Sequence, residues 1–91
     1  MYVPNFFTPN GDDINDGFKP VLSTNDVTYY QFMVFNRWGE IIFNTNNPLD
    51  AWDGSHNGNL VKQDVYTWKL KVRFNKEVTI RLHAGTITVG K

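Results

Sequence analysis

The sequence contains no cysteine in its 91 residues, which removes disulfides, thiolate metal sites and thiol nucleophiles together. An extracellular setting stays open, because a domain with a sufficient core needs no covalent bridge. An excess of one charge sign is also missing. Nine basic residues balance nine acidic ones, so no global field draws the protein to nucleic acid or to an anionic membrane. The longest apolar run is only Phe32 to Phe35, whereas a bilayer-crossing helix needs about 20 such residues in succession; no membrane span is expected. No window shows the sustained 3.6-residue spacing of an amphipathic helix. Nor does Met1 open a basic and then apolar leader, since Tyr2, Val3 and Pro4 follow it. A methionine pressed against structured residues points to a domain excised from a longer protein, a single unit over residues 1–91.

What is present suits a small sheet protein. The chain is 41% hydrophobic and 15% aromatic, enough for one core in a domain of this size. The charges are unevenly spread. Through Asp53 there are six Asp and one Glu against one Lys and one Arg, a net of −5; from Gly54 onward five Lys and two Arg face one Asp and one Glu, a net of +5. Either strands distant in sequence lie side by side and complement each other across a sheet, or the second half carries a basic docking face.

The clearest periodicity follows Asp64, where Tyr66, Trp68, Leu70, Val72 and Phe74 alternate with Thr67, Lys69, Lys71 and Arg73. Alternate residues of a strand face opposite sides, so this pattern predicts a long antiparallel strand with one apolar and one cationic row. Val78, Ile80 and Leu82 repeat the pattern after a connection near Asn75 and Lys76, predicting a hairpin with His83 on the solvated side. A further short strand is expected over Thr86–Val89. Upstream, Tyr30, Phe32 and Val34 form one strand and Glu40–Phe43 another, joined by the turn Asn36-Arg37-Trp38-Gly39. Asn44–Gln63 reads as mostly loop, anchored by Trp52, Leu60 and Val61. Pro4 and Pro9 confine the N-terminal apolar segment to a sheet edge. Together these predict a small antiparallel immunoglobulin-like β-sandwich of about seven strands.

Catalytic constellations are weak. Ser55 and His56 adjoin in sequence but lie within Asp53-Gly54-Ser55-His56-Asn57-Gly58, whose composition is that of tight turns. His56 and His83 are too far apart in sequence to suggest a zinc site. No glycine-rich phosphate loop opens a helix. The one segment with metal character is Asn10, Asp12, Asp13, Asn15 and Asp16, whose oxygens would suit calcium. It departs from the EF-hand pattern at Ile14 and lacks a closing Glu, and the same residues also make Asx-turns. A melting temperature unmoved by chelator would remove the site. Among the tryptophans, Trp68 and Trp52 belong to the predicted core. Trp38 at a hairpin tip either folds back to cap the sandwich or stays exposed as a surface for a sugar or a protein.

Four separated motifs carry a resemblance: Pro4-Asn5-Phe6-Phe7-Thr8-Pro9-Asn10-Gly11-Asp12 with Asn15-Asp16 and Phe18, then Phe35-Asn36-Arg37-Trp38-Gly39-Glu40, then Trp52-Asp53-Gly54, then Asp64-Val65-Tyr66. In order and spacing they resemble the gliding-motility-associated C-terminal domain, the type B sorting domain of the type IX secretion system in Bacteroidota. Asp13, where Gly is frequent, and Asp64, where a small residue such as Ser is frequent, depart from it. The resemblance implies a non-catalytic C-terminal signal with no required cofactor. It would direct an N-terminally attached cargo through the periplasm to outer-membrane translocon components, and so to the cell surface or outside. It also implies that Lys91 lies at or near the natural C-terminus. The expected grips are Asn36, Arg37, Trp38, Gly39 and Glu40 at the hairpin tip, and the terminal strand with Lys91, which would offer an edge for β-augmentation. An immunoglobulin-like adhesion or carbohydrate-binding module is the alternative, and a structural spacer a third.

Overall fold

In the computed structural model, residues 3–7, 17–22, 26–75 and 77–90 are described. They form seven strands and, among the described residues, no helix: β1 (Phe6–Phe7), β2 (Val27–Phe35), β3 (Ile41–Thr45), β4 (Ser55–His56), β5 (Asn59–Leu60), β6 (Asp64–Phe74) and β7 (Arg81–Val89). A five-stranded sheet runs β1-β7-β6-β2-β3, and β4-β5 make a separate ribbon. All pairs in the large sheet are antiparallel except β1 with β7, which is parallel.

The alternation in β6 sets the core. Tyr66, Trp68, Leu70 and Val72 are buried and stand in register with Ile87 of β7 and with Val34, Phe32 and Tyr30 of β2. A thinner second layer covers this face. Phe18 and Trp52 exchange two backbone hydrogen bonds of 2.9 Å, which carries both rings over the sheet. Trp52 then lies 5.6 Å from Phe7 and 5.6 Å from Tyr66, and Phe18 lies 5.5 Å from Phe32. Such ring pairs contribute about 0.5–1.5 kcal/mol each beyond the area they bury. The Trp52 indole N–H donates to the Ser55 carbonyl at 3.0 Å, so burial leaves no orphaned donor there. The result is an all-β sandwich.

Four expectations need correction. Val78 and Ile80 lie outside β7, and Val78 is 93% exposed. Only the end of the second alternation, Leu82, joins the terminal strand in one strand, β7, whose phase is set by Ile87 and Val89, both buried. Those are odd-numbered positions, so Leu82 is forced to the outer face, where it is 71% exposed, while His83 falls on the core side. A strand cannot bury both parities on one face, and the better-packed end decides. Leu60, an expected anchor, is 66% exposed, because β4 and β5 meet in a tight turn with Asn57 at φ 56° and Gly58 at φ 86° that carries the ribbon out to solvent.

Among the described residues the cationic row also faces no acidic partner across the sheet. Lys69 faces Met33 on β2 and Ala84 on β7; Lys71 faces Gln31 and Leu82; Arg73 faces Tyr29. The outer face is basic and carries apolar side chains between its cations.

Candidate functional site

Hairpin β2–β3 ends in a turn built by one side chain. The Asn36 amide N–H donates to the Glu40 carbonyl at 3.0 Å, and the Gly39 amide donates back to Asn36 at 3.1 Å. Gly39 sits at φ 82°, a left-handed conformation that closes this type of hairpin and that glycine adopts without penalty. The Asn36 Oδ1 accepts from the amides of Trp38 (2.9 Å) and Glu40 (3.0 Å), while its Nδ2 donates to Glu40 Oε1 at 2.8 Å. Polar side chains are thus spent holding the loop in one shape.

Arg37 ties the tip to the rest of the molecule. Its Nη2 lies 2.7 Å from Asp64 Oδ2, at the start of β6, and its guanidinium carbon lies 5.7 Å from the Trp38 ring centroid. The Val65 amide, and after it Arg37, hold the Asp64 carboxyl below the usual carboxylate range, so the pair stays ionised near neutral pH. The fold-back of Trp38 over the sandwich end is not found: the indole is 72% exposed. It stands as a ridge between two clefts. One, of about 290 Å³, is polar and reaches Lys62, Gln63 and Asp64. The other, of about 260 Å³, is lined on its far side by Ile42, Leu60 and Val61. Tyr66 lies under both, and its hydroxyl donates to the Lys62 carbonyl at 2.8 Å.

Of the expected site residues, Asn36, Arg37, Trp38, Gly39 and Glu40 are thus one braced unit. Lys91 lies outside the described residues, as do the candidate calcium ligands Asn10, Asp12, Asp13, Asn15 and Asp16. Among the described residues no cluster of three metal-binding side chains occurs. Sequence reasoning missed Asp64 as a partner of the tip, noting it only as a departure from the family's pattern. It also missed Leu60, Val61 and Lys62 as walls of the clefts; their distance along the chain hid the association, and only the composition of the β4–β5 turn hinted at a ribbon there. The terminal strand is less available than expected. Asn5 accepts from the Thr88 amide at 3.0 Å and Phe7 from the Gly90 amide at 2.8 Å, so β1 occupies the outer edge at Thr88–Val89.

Ser55 and His56 do not form a nucleophile and base. Asp53 accepts hydrogen bonds from both the Ser55 amide and its hydroxyl, and these hold the Asp53 carboxyl below its ordinary range. Among the described residues the His56 Nε2 meets the neighbouring Asn57 side chain, at 3.4 Å, and no carboxylate or hydroxyl within hydrogen-bond distance.

The braced indole thus stands in solvent on an all-β sandwich. Residues 1–89 match the family model of the CHU_C type IX secretion signal domain, and the chain belongs to that family. Its function is that of a secretion signal, directing export to the cell surface or outside. No curated protein and no solved structure matches the chain. No described helix is long and apolar enough to cross a membrane.

Proposed function

We propose that the domain stands at the C-terminus of a larger exported protein, performs no reaction, and is gripped at the Trp38 tip by an outer-membrane component of the type IX translocon after cargo reaches the periplasm. The observation that carries this is the 72% exposure of Trp38 on a turn held by Asn36 and by the Arg37–Asp64 pair. A large aromatic side chain kept in water by a rigid support loses little conformational freedom when a partner covers it. Tryptophan and arginine are also the residues that most often dominate interface energetics.

The test replaces both tip residues, Arg37→Ala with Trp38→Ala, in the domain fused to a fluorescent reporter that has its own inner-membrane export leader. Both side chains are largely solvent-facing, so the melting temperature should hold while the reporter stays in the periplasm. Normal secretion of the double variant would eliminate the tip as a contact. Deletion of β7 is a poorer test, because Ile87 and Val89 are buried and their loss unfolds the sheet. Glycan binding by the isolated domain, lost on Trp38→Ala, would instead favour the carbohydrate-binding alternative.

A further inference from the structure

A second surface lies on the other side of the sheet from β3. Strand β1 covers only Thr88 and Val89 of β7; among the described residues nothing pairs with the outer edge of Arg81–Ile87. The Thr88 and Gly90 amides point toward β1, where they donate to Asn5 and Phe7. With a period of two, the amides and carbonyls of Leu82, Ala84 and Thr86 point the same way, away from β6, where no described strand pairs with them. Unpaired edges of this length are usually blunted by proline, a bulge or a covering loop, and β7 carries neither a proline nor a register shift.

The chemistry beside that edge is specific. On the outer face Leu82 stands in register with Lys71, and Ala84 with Lys69. Together these four side chains border an apolar groove of about 260 Å³. Lys69 also lies 5.4 Å from the Phe35 ring, and Arg73 continues the row. Neither lysine nor Arg73 is ion-paired among the described residues; the described ion pairs are Arg37–Asp64 and Arg81–Glu77. An added strand would lie about 10 Å from β6, two strand spacings away, within joint reach of a lysine and a glutamate.

We propose that the Leu82–Thr86 edge of β7 receives an extended, glutamate-bearing strand from another protein by β-augmentation. The alternating backbone donors and acceptors match a polypeptide and not a glycan or a nucleic acid. Charge selects among polypeptides: a second copy paired edge to edge would bring two basic faces together, whereas a strand with glutamates on its outer face complements Lys69 and Lys71. The surface is separate from the Trp38 tip, and its test does not read secretion, so its failure leaves the secretion function standing.

The probe is an acetylated octapeptide of alternating valine and glutamate, beside its valine–lysine counterpart and a valine–glutamate peptide N-methylated on alternate amides. Binding is followed by fluorescence anisotropy and by amide hydrogen exchange. The expected result is that the glutamate peptide binds about tenfold or more tightly than the lysine peptide, slows exchange at Leu82, Ala84 and Thr86, and loses binding on N-methylation. In Lys69→Glu with Lys71→Glu, both exposed-face changes, the charge preference reverses with the melting temperature unchanged. Absence of binding, equal affinity for both charges, protection at Ile41–Thr45 instead, or protection arising from dimerisation of the domain itself would each overturn the proposal.

Discussion

Tyr30 is a buried polar residue whose hydroxyl finds no hydrogen-bond partner among the described residues. Burial pushes its pKa up to about 12, so the folded state keeps the phenol neutral where the unfolded chain, with a value of about 10, begins to ionise. The unfolded state therefore gives up its proton first. Stability is full below pH 10 and falls as pH rises toward 12. Tyr30→Phe removes the orphaned oxygen while keeping the ring. It should leave neutral-pH stability unchanged or raise it by up to about 1 kcal/mol, and flatten the alkaline decline. Urea unfolding at pH 7 and at pH 11 checks this; a loss of more than about 2 kcal/mol at pH 7 would mean that the hydroxyl has a partner. The same contrast separates Tyr30 from Tyr66, whose hydroxyl is used to hold the Lys62 backbone under the tip.

Strand β7 combines close packing on its core side with the strand edge proposed above as a docking site. Its core side holds Gly85, where an added Cβ would stand 2.9 Å from the Trp68 ring. That ring is itself buried beside Phe32, so it cannot yield freely, and Gly85→Ala should cost about 1–3 kcal/mol by overpacking. An unchanged denaturation midpoint would show that Trp68 has room to move. The strand also marks the limit of what the sequence discloses. β6 was legible because its two faces differ chemically at every step. In β7, Leu82 and Ile87 have opposite parity, and only the pairing of Ile87 with Tyr66 decides which is buried. The hairpin tip was legible from Asn36 to Glu40, since turn chemistry is local. Its clefts were not, because Leu60, Val61 and Asp64 reach it through the tertiary fold. The bridge between Phe18 and Trp52 left no periodic trace for the same reason, each being a single residue in an irregular segment.

At the scale of the whole molecule, the described acidic and basic residues do not pair across the large sheet. The described acidic residues lie at turns and strand ends, while Lys69, Lys71 and Arg73 share one exposed face. A domain with a braced aromatic ridge, unpaired strand edges among the described residues and a basic outer face offers a partner several points of purchase around a rigid core, which suits a signal read by shape. The central claim is that this folded unit is the secretion signal. Its most direct test is the location of a reporter bearing an inner-membrane export leader, with and without residues 1–91 fused behind it, in a type IX-competent host and in a translocon-deficient sibling. Reporter is expected outside the cell only when both the domain and the translocon are present; secretion independent of either, or periplasmic retention in the competent host, would show that the folded domain is not the signal.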